Sequence, residues 1–232
     1  QMNGGSFAMT AGFWGSPSTT TNAPCVPFDF DGDGKADISV FSPHDSIWNL
    51  LDSQTGTTVS VQFGLATDRI TPADYDGDDK TDIAIFRDGV WLILRSSDNT
   101  LFTERFGNAR DIPVPADYDG DEAAELAVYR GGTWLTRELL GNKVESVRFG
   151  TATDRAVPAD YDGDGRDDPA VYRNGVWYLL RSEQGFAAVT FGSASDKPVV
   201  GDYDGDNKAD AAIYRNGSWF ILQSRDGLAV FE

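Results

Sequence analysis

The amino-acid sequence predicts an all-β fold, a β-propeller of five blades with four strands each, from three observations. An acidic segment recurs five times, beginning at residues 29, 74, 117, 160 and 202, with spacings of 45, 43, 43 and 42 residues. A fixed period in this range is typical of propellers and solenoids. Each period contains four short apolar runs, and the sequence shows no helical periodicity.

The apolar runs of each repeat predict strands in a fixed order. The acidic segment is followed by a run such as DIAIFR, then by a two-residue turn, then by a run centred on tryptophan. The turns Asp-Gly, Gly-Gly and Asn-Gly tolerate the positive φ angles of tight hairpins. A third run ends in Phe-Gly, and a fourth, such as IPVPADY, leads into the next acidic segment. The pattern predicts a propeller over residues 24–232, with blades at about 26–65, 69–108, 112–150, 155–193 and 197–232.

Apolar residues on both faces of the strands indicate that each sheet is covered on both sides. Runs such as VWLILR and VWYLLR lack the alternation of a sheet with one solvated face. Radial packing of blades produces this environment. We therefore expect the repeated tryptophan to form core between blades rather than a ligand platform. The tryptophans are Trp48, Trp91, Trp134, Trp177 and Trp219.

The acidic segments follow the pattern D-x-D-x-D-G-x-x-D, which predicts a cation site in each repeat. Side chains at positions 1, 3, 5 and 9 and the carbonyl at position 7 can surround one ion, and glycine at position 6 permits the turn. Several hard oxygen ligands suit Ca²⁺, whereas Zn²⁺ and copper favour the His and Cys that this chain almost lacks. The candidate ligands are Asp29, Asp31, Asp33, Lys35 and Asp37; Asp74, Asp76, Asp78, Lys80 and Asp82; Asp117, Asp119, Asp121, Ala123 and Glu125; Asp160, Asp162, Asp164, Arg166 and Asp168; and Asp202, Asp204, Asp206, Lys208 and Asp210.

The loops differ from an EF-hand, and their predicted affinities differ from each other. Position 12, where an EF-hand has glutamate, is Val40 or Ile85 inside a predicted strand. The third segment should bind most weakly, because Glu122 replaces the turn glycine and the longer Glu125 stands at position 9. Segments one and four, with Gly34 and Gly165, should bind best. Solvated acidic turns without metal are the alternative interpretation.

Charge arithmetic favours bound ions. The predicted ligand positions 1, 3, 5 and 9 hold 20 of the 37 acidic residues, and five Ca²⁺ ions, with two charges each, would bring the formal net charge from −18 to −8. The strongly acidic balance argues against nucleic acid and anionic membranes as partners, since both require basic surface. No apolar run approaches the roughly 20 residues that cross a bilayer. We expect no membrane insertion.

The aspartate loop together with Phe-Gly resembles the FG-GAP or VCBS-like repeats known from integrin α propellers and from bacterial exported proteins. The resemblance covers residues 26–232, with Thr-Pro-Ala or Val-Pro-Ala in place of Gly-Ala-Pro. It implies a β-propeller with Ca²⁺ in the hairpin between the first two strands of each blade, used for adhesion or recognition. Integrin-like propellers have seven blades, so five repeats leave an open or incomplete ring as the alternative to five closed blades.

The function expected from these patterns is a non-catalytic, extracellular, calcium-binding recognition module with a protein or carbohydrate ligand. His44 is the single histidine, and nucleophile and phosphate-loop motifs are absent from the sequence. A glycosidase built on the remaining acids is the enzymatic alternative. Weak sites need plentiful Ca²⁺, which favours secretion. A first residue that is not Met suits a processed exported protein or a cloning boundary. The lone Cys25 excludes an internal disulfide and is expected to be a semi-buried thiol.

Repeats two to five also carry paired charges at the end opposite the acidic segments. Arginines follow the second strand and aspartates precede the first strand, and we expect them to form surface ion pairs of little individual energy. They are Arg87, Arg130, Arg173 and Arg215, with Asp68, Asp111, Asp154 and Asp196. The first repeat instead has Ser42-Pro43-His44-Asp45, an irregularity at which a ligand could bind.

Residues 1–23 lie outside the repeats and contain an alternating stretch followed by a Ser/Thr-rich linker. Phe7, Met9, Ala11 and Phe13 would share one face of a strand. Because all five blades look complete without it, this strand is expected to cover an edge of its own propeller, to belong to an upstream domain, or to insert into a neighbouring molecule. Insertion would make the chain a self-assembling structural subunit, the alternative function.

Overall fold

The apolar runs of each repeat form the predicted strands in a computed structural model that describes residues 8–10, 26–227 and 229–231. The described residues contain five four-stranded sheets, all paired antiparallel. They divide into two compact units, with β1–β8 in the first and β9–β20 in the second. Within the described ranges, no helix has the length and apolar character needed to span a bilayer.

The first unit contains two sheets, which we call blades 1 and 2. Blade 1 comprises β1 (Ala8–Thr10), β2 (Ile38–Ser42), β3 (Ile47–Leu51) and β4 (Thr58–Gln62), and blade 2 comprises β5 (Arg69–Ile70), β6 (Ile83–Arg87), β7 (Val90–Leu94) and β8 (Leu101–Arg105). In both sheets the spatial order of the strands equals their order in the chain. This order is that of a meander.

The second unit contains blades 3, 4 and 5, with the same order. Blade 3 comprises β9 (Ile112–Pro113), β10 (Leu126–Arg130), β11 (Thr133–Arg137) and β12 (Glu145–Arg148). Blade 4 comprises β13 (Arg155–Ala156), β14 (Ala170–Arg173), β15 (Val176–Arg181) and β16 (Gly185–Thr190). Blade 5 comprises β17 (Lys197–Gly201), β18 (Asp210–Arg215), β19 (Ser218–Leu222) and β20 (Ala229–Phe231).

In blades 2 to 5, the second and third strands are joined by the predicted tight turns. In blade 4, Asn174 and Gly175 have φ angles of 53° and 86°. A Cβ on Gly175 would lie 2.5 Å from the carbonyl oxygen of Gly192. Only glycine fits there, because both its conformation and its surroundings exclude a side chain.

The repeated tryptophan forms core between blades, as predicted. Trp177 is fully buried and packs in one cluster with Tyr172 of its own blade and Ile213 of blade 5. Its indole Nε1 donates a hydrogen bond to the carbonyl oxygen of Phe191 at 2.9 Å, which satisfies the polar atom of a buried ring. The same bond is made by Trp48, Trp91 and Trp134, which are also buried, whereas Trp219 is half-buried.

The expectation that all blades are complete without the N-terminal segment is wrong for blade 1. Its first strand is β1, which pairs with β2 through Ala8–Phe41, Met9–Val40 and Thr10–Ser39. The residues directly before the acidic segment turn away, because Asp29 donates its amide to the carbonyl of Val26 and Phe28 has a φ of 64°. Predictions for Phe7, Ala11, Phe13 and Cys25 fall outside the described residues.

Candidate metal centres in the acidic loops

The five acidic segments, loops 1 to 5, occupy residues 29–37, 74–82, 117–125, 160–168 and 202–210. Each of loops 2 to 5 connects the first strand of its blade to the second. The loop closes on its first carboxylate: Asp74 Oδ1 accepts the amide of Gly77 at 2.8 Å, and Asp74 Oδ2 accepts that of Asp79 at 2.8 Å. The first aspartate of every loop accepts the amide of the residue at position 6 in this way.

Position 6 has a left-handed backbone in every loop, as the predicted turn requires. The φ angles are 81° at Gly34, 64° at Asp79, 72° at Glu122, 84° at Gly165 and 65° at Asn207. Glycine adopts this conformation without cost, and Asn and Asp tolerate it better than Glu does. The structure therefore places a strained residue in loop 3, where the sequence predicts one.

The side chains at positions 1, 3 and 5 converge. Their carboxylate oxygens lie within 4.8 Å of one another in four of the groups that the described residues form. These groups are Asp29, Asp31 and Asp33; Asp74, Asp76 and Asp78; Asp160, Asp162 and Asp164; and Asp117, Asp119 and Asp121 together with Glu125. Three like charges at this distance repel strongly unless a cation or protonation neutralises them.

The carboxylates at position 3 have buried oxygen atoms without a hydrogen-bond partner among the described residues. Such atoms occur in loops 2, 4 and 5, at Oδ1 of Asp76, Asp162 and Asp204. Asp162 is 4% exposed, and its other oxygen accepts the amides of Glu183 and Gln184. A buried carboxylate oxygen with no partner is costly in free energy, and a bound cation would satisfy it.

The aspartate at position 9 is placed differently. Asp82 Oδ2 accepts the amide of Tyr75 at 3.0 Å, and Asp82 Oδ1 accepts that of Ser96 at 2.6 Å. Burial raises the pKa of Asp82, and likewise that of Asp168, to about 6. These hydrogen bonds fasten the loop to the end of the third strand.

In loop 3, position 9 joins the acidic group. Glu125 is 5% exposed, and one of its oxygens accepts the amide of Tyr118 at 2.6 Å. Its longer side chain brings a carboxylate oxygen within 4.8 Å of those of Asp117, Asp119 and Asp121. Burial raises the pKa of Glu125 to about 8.

Position 7 lies beside the acidic group through its backbone. The amide of Lys80 donates to Asp78 Oδ1 at 3.0 Å, and the other loops repeat this bond. The donors are Lys35, Ala123, Arg166 and Lys208, and the acceptors are the position 5 aspartates. The residue whose carbonyl we predict as a ligand is thus held next to the carboxylates in every loop.

A serine that the sequence pattern was not used to predict supports loops 1, 2, 4 and 5. Ser96, five residues after Trp91, donates its amide to Asp82 and its hydroxyl to Asp78 at 2.8 Å. Ser53, Ser182 and Ser224 make the same two bonds in blades 1, 4 and 5. Blade 3 has Leu139 at this place. The constant spacing from tryptophan is a signal that could have identified these serines.

In blades 2 to 5, the end opposite the acidic loops carries the predicted ion pairs, with geometry stronger than expected. Arg87 donates from Nε and Nη2 to the two oxygens of Asp68, both at 2.7 Å, and the pairs Arg130–Asp111, Arg173–Asp154 and Arg215–Asp196 repeat the arrangement. The prediction of surface pairs is wrong for the carboxylates, whose side chains are 0–1% exposed. In blade 1, the turn over Pro43, His44, Asp45 and Ser46 replaces the arginine and the tight turn.

The arrangement of the sheets defines the fold class of the chain. Five four-stranded antiparallel blades, counted over the described residues, make it an all-β, five-bladed β-propeller. The chain matches no protein-family model and no curated protein sequence at a significant level.

Several solved structures are similar in fold. A lectin from Agrocybe aegerita that recognises non-reducing terminal N-acetylglucosamine has a TM-score of 0.59 and 19% identity, over 86% of this chain and 63% of the lectin. An inactive virginiamycin B lyase from Staphylococcus aureus, bound to quinupristin, has a TM-score of 0.54 and 7% identity, over 98% of this chain and 74% of the lyase. The β-propeller domain of Cps50 (Swd1) from Myceliophteria thermophila has a TM-score of 0.51 and 10% identity, over 84% and 69%. The chain thus spans under two thirds of the lectin, and at these identities the likeness concerns the fold alone.

Proposed function

We propose that the chain is a non-catalytic recognition module whose acidic loops bind Ca²⁺. The observation that carries the metal proposal is the buried, unpartnered Oδ1 of Asp162 beside the carboxylates of Asp160 and Asp164. An all-oxygen donor set is the type that hard cations prefer. Bound Ca²⁺ would neutralise the converging charges, so the loops would become rigid ends of the blades.

The residues that would hold the ion differ between loops. In loop 4 they are the carboxylates at positions 1, 3 and 5, with the carbonyl of Arg166 as a further donor. Asp168 accepts hydrogen bonds from the backbone amides of Tyr161 and Ser182, and its role is to fasten the loop. In loop 3, Glu125 at position 9 would be a direct ligand of the ion.

Thermal unfolding with and without Ca²⁺ tests the metal proposal. We expect millimolar Ca²⁺ to raise the melting temperature by about 5 °C or more over the value in excess chelator, since the ion binds only the folded loops. Asp162→Asn should reduce this increase. Asp88→Asn is the matched control, because Asn already occupies this turn position in blades 4 and 5. Coincident melting curves in chelator and in Ca²⁺ would refute calcium binding.

Recognition of a protein or carbohydrate ligand is proposed from the fold. Propellers present loops from several blades side by side, and the lectin mentioned above uses such a fold to bind a sugar. The buried tryptophans, which are Trp48, Trp91, Trp134 and Trp177, are unavailable for stacking on a sugar. Binding to a glycan panel that includes terminal N-acetylglucosamine, with Ca²⁺ and with chelator, tests the carbohydrate ligand.

The absence of catalysis and an extracellular location are parts of the same proposal. The described carboxyl groups with strongly shifted pKa values belong to the acidic loops or to the Arg–Asp pairs, where structural roles account for them. Extracellular Ca²⁺ concentrations suit weak sites. Detection of the chain outside the producing cells tests the location, and turnover of quinupristin, which the inactive lyase binds, would contradict the non-catalytic proposal.

Self-association is a second candidate role, favoured by the pairing of β1 with β2. The first strand of blade 1 comes from residues 8–10 and not from the residues that precede loop 1. A strand separated in this way from its blade can be exchanged between copies. Molar mass in solution decides: an assembly that becomes monomeric on deletion of residues 1–23 supports exchange, and a monomer in both forms excludes it.

A further inference from the structure

A cation from the following loop crosses each of three acidic loops. Lys80 of loop 2 lies over Gly32, the position 4 glycine of loop 1: a Cβ on Gly32 would be 2.8 Å from Lys80 Cε. Arg166 crosses Gly120 in the same way, with Nε 3.2 Å from the corresponding point, and Lys208 crosses Gly163, with Cε at 3.1 Å. All three cations stand at position 7 of their own loops.

A backbone hydrogen bond explains why the cation lies there. Thr81, which follows Lys80, donates its amide to the carbonyl of Asp29 in loop 1 at 2.6 Å. Asp167 donates to Asp117 at 2.6 Å and Ala209 donates to Asp160 at 2.7 Å in the corresponding places. The bond joins position 8 of one loop to position 1 of the preceding loop, so the side chain at position 7 extends over position 4 of the preceding loop.

The crossed loops hold charge that such a cation can offset. In loop 1, the carboxylates of Asp29, Asp31 and Asp33 lie within 4.8 Å of one another. In loop 3, the carboxylates of Asp117, Asp119, Asp121 and Glu125 lie equally close to one another. A positive charge near converging carboxylates lowers their mutual repulsion.

We propose that Lys80, Arg166 and Lys208 are resident counter-cations of the loops that precede them. Each stabilises the metal-free loop, and each weakens the affinity of that loop for Ca²⁺, because a bound ion must then share the carboxylates with a positive charge. The first effect is independent of the proposed calcium binding, and the second rests on it. Ala123, at position 7 of loop 3, carries no charge and cannot take this role.

The first experiment measures melting in excess chelator. We expect Lys80→Met to lower the melting temperature by about 2 °C and Lys80→Glu to lower it further. Lys197→Met, which removes the same charge at the exposed start of β17, is the matched control. Equal melting temperatures for Lys80→Met and Lys197→Met would overturn the proposal, whether or not the protein binds calcium.

The second experiment follows single loops by nuclear magnetic resonance during a Ca²⁺ titration. The amide of Gly34 reports on loop 1 and that of Gly165 on loop 4. Lys80→Met should lower the Ca²⁺ concentration of half-saturation at Gly34 by about threefold to tenfold and leave Gly165 unchanged. Lys208→Met should lower the half-saturation concentration at Gly165 and leave that at Gly34 unchanged. This reciprocal pattern separates the local effect from a folding defect in one variant. Unchanged half-saturation at both amides overturns the affinity effect, and no response of wild type rejects calcium binding alone.

Discussion

The guanidinium of Arg173 donates two hydrogen bonds to the carboxylate of Asp154, from Nε to Oδ1 and from Nη2 to Oδ2, both at 2.6 Å. The carboxylate is buried and also accepts the amide of Thr151. Arg173 is 37% exposed and its charge lies 4.9 Å from the ring centre of Tyr178. This pair therefore joins the start of the blade to its second strand through one buried and one half-exposed partner.

Removal of the arginine should leave a buried carboxylate without its counter-charge. We expect Arg173→Met to lower the free energy of unfolding by about 2 kcal/mol, less than for a fully buried pair because Arg173 is partly solvated. Arg148→Met, on the exposed strand β12, is the control and should change stability by less than about 0.5 kcal/mol. Urea unfolding measures both, and equal losses would contradict the role of the pair.

The pair in blade 5 should produce acid sensitivity. Hydrogen bonds from Arg215 lower the pKa of Asp196 to about 2, below the unfolded value of about 3.9. A depressed carboxyl pKa contributes stability that is complete above about pH 4 and is lost as pH falls through about 2. Asp196→Asn should remove this part of the pH dependence. The urea midpoint between pH 2 and 5 measures it, with Asp88→Asn as a control that should keep the wild-type slope.

In the metal-free protein, the acidic loops should make folding stability decrease as pH rises, opposite to the effect of Asp196. Burial raises the pKa of Asp82 and Asp168 to about 6, above the unfolded value, so the folded state binds protons more tightly there. Stability from these groups is present below about pH 4 and decreases as pH rises through about 6. Protein freed of metal should therefore melt at a higher temperature at pH 5 than at pH 7. The same melting temperature at both values would count against this assignment.

The serine that follows the third strand should support ion binding in its loop. Ser182→Ala removes the hydroxyl bond to Asp164 while its backbone bond to Asp168 remains. We expect a loss of about 1 kcal/mol in stability and a weaker response of the Gly165 amide to Ca²⁺. Ser146→Ala, on exposed strand β12, is the control. A Ca²⁺ response equal to that of wild type would show that the hydroxyl does not organise the loop.

The periodic features of the sequence predicted most of the fold, because each repeat supports the same interpretation. The buried tryptophans, the positive φ turns and the convergence of positions 1, 3 and 5 follow from residue type and spacing. The sequence analysis named an edge of the chain's own propeller as one of three places for the N-terminal strand. Its pairing with β2 could not be predicted, since a three-residue strand about 30 positions away has no repeated partner to indicate its register. The position 9 contacts were missed because backbone amides carry no sequence signal. Calcium binding and the order of loop affinities remain predictions.

Loop 3 provides the last prediction, because its turn is the one where the sequence conflicts with the backbone. Glu122 has a φ of 72°, and its amide donates to Asp117 Oδ2 at 2.9 Å, so the loop keeps the common geometry despite an unsuitable residue. Replacement of a non-glycine residue at positive φ by glycine removes strain of roughly 1 kcal/mol. Glu122→Gly should therefore raise the melting temperature in chelator by about 2–4 °C and strengthen Ca²⁺ binding in loop 3. The reciprocal change Gly165→Glu should lower both quantities in loop 4. If Glu122→Gly destabilises the protein while Gly165→Glu is tolerated, backbone strain at position 6 does not set the order of the loops.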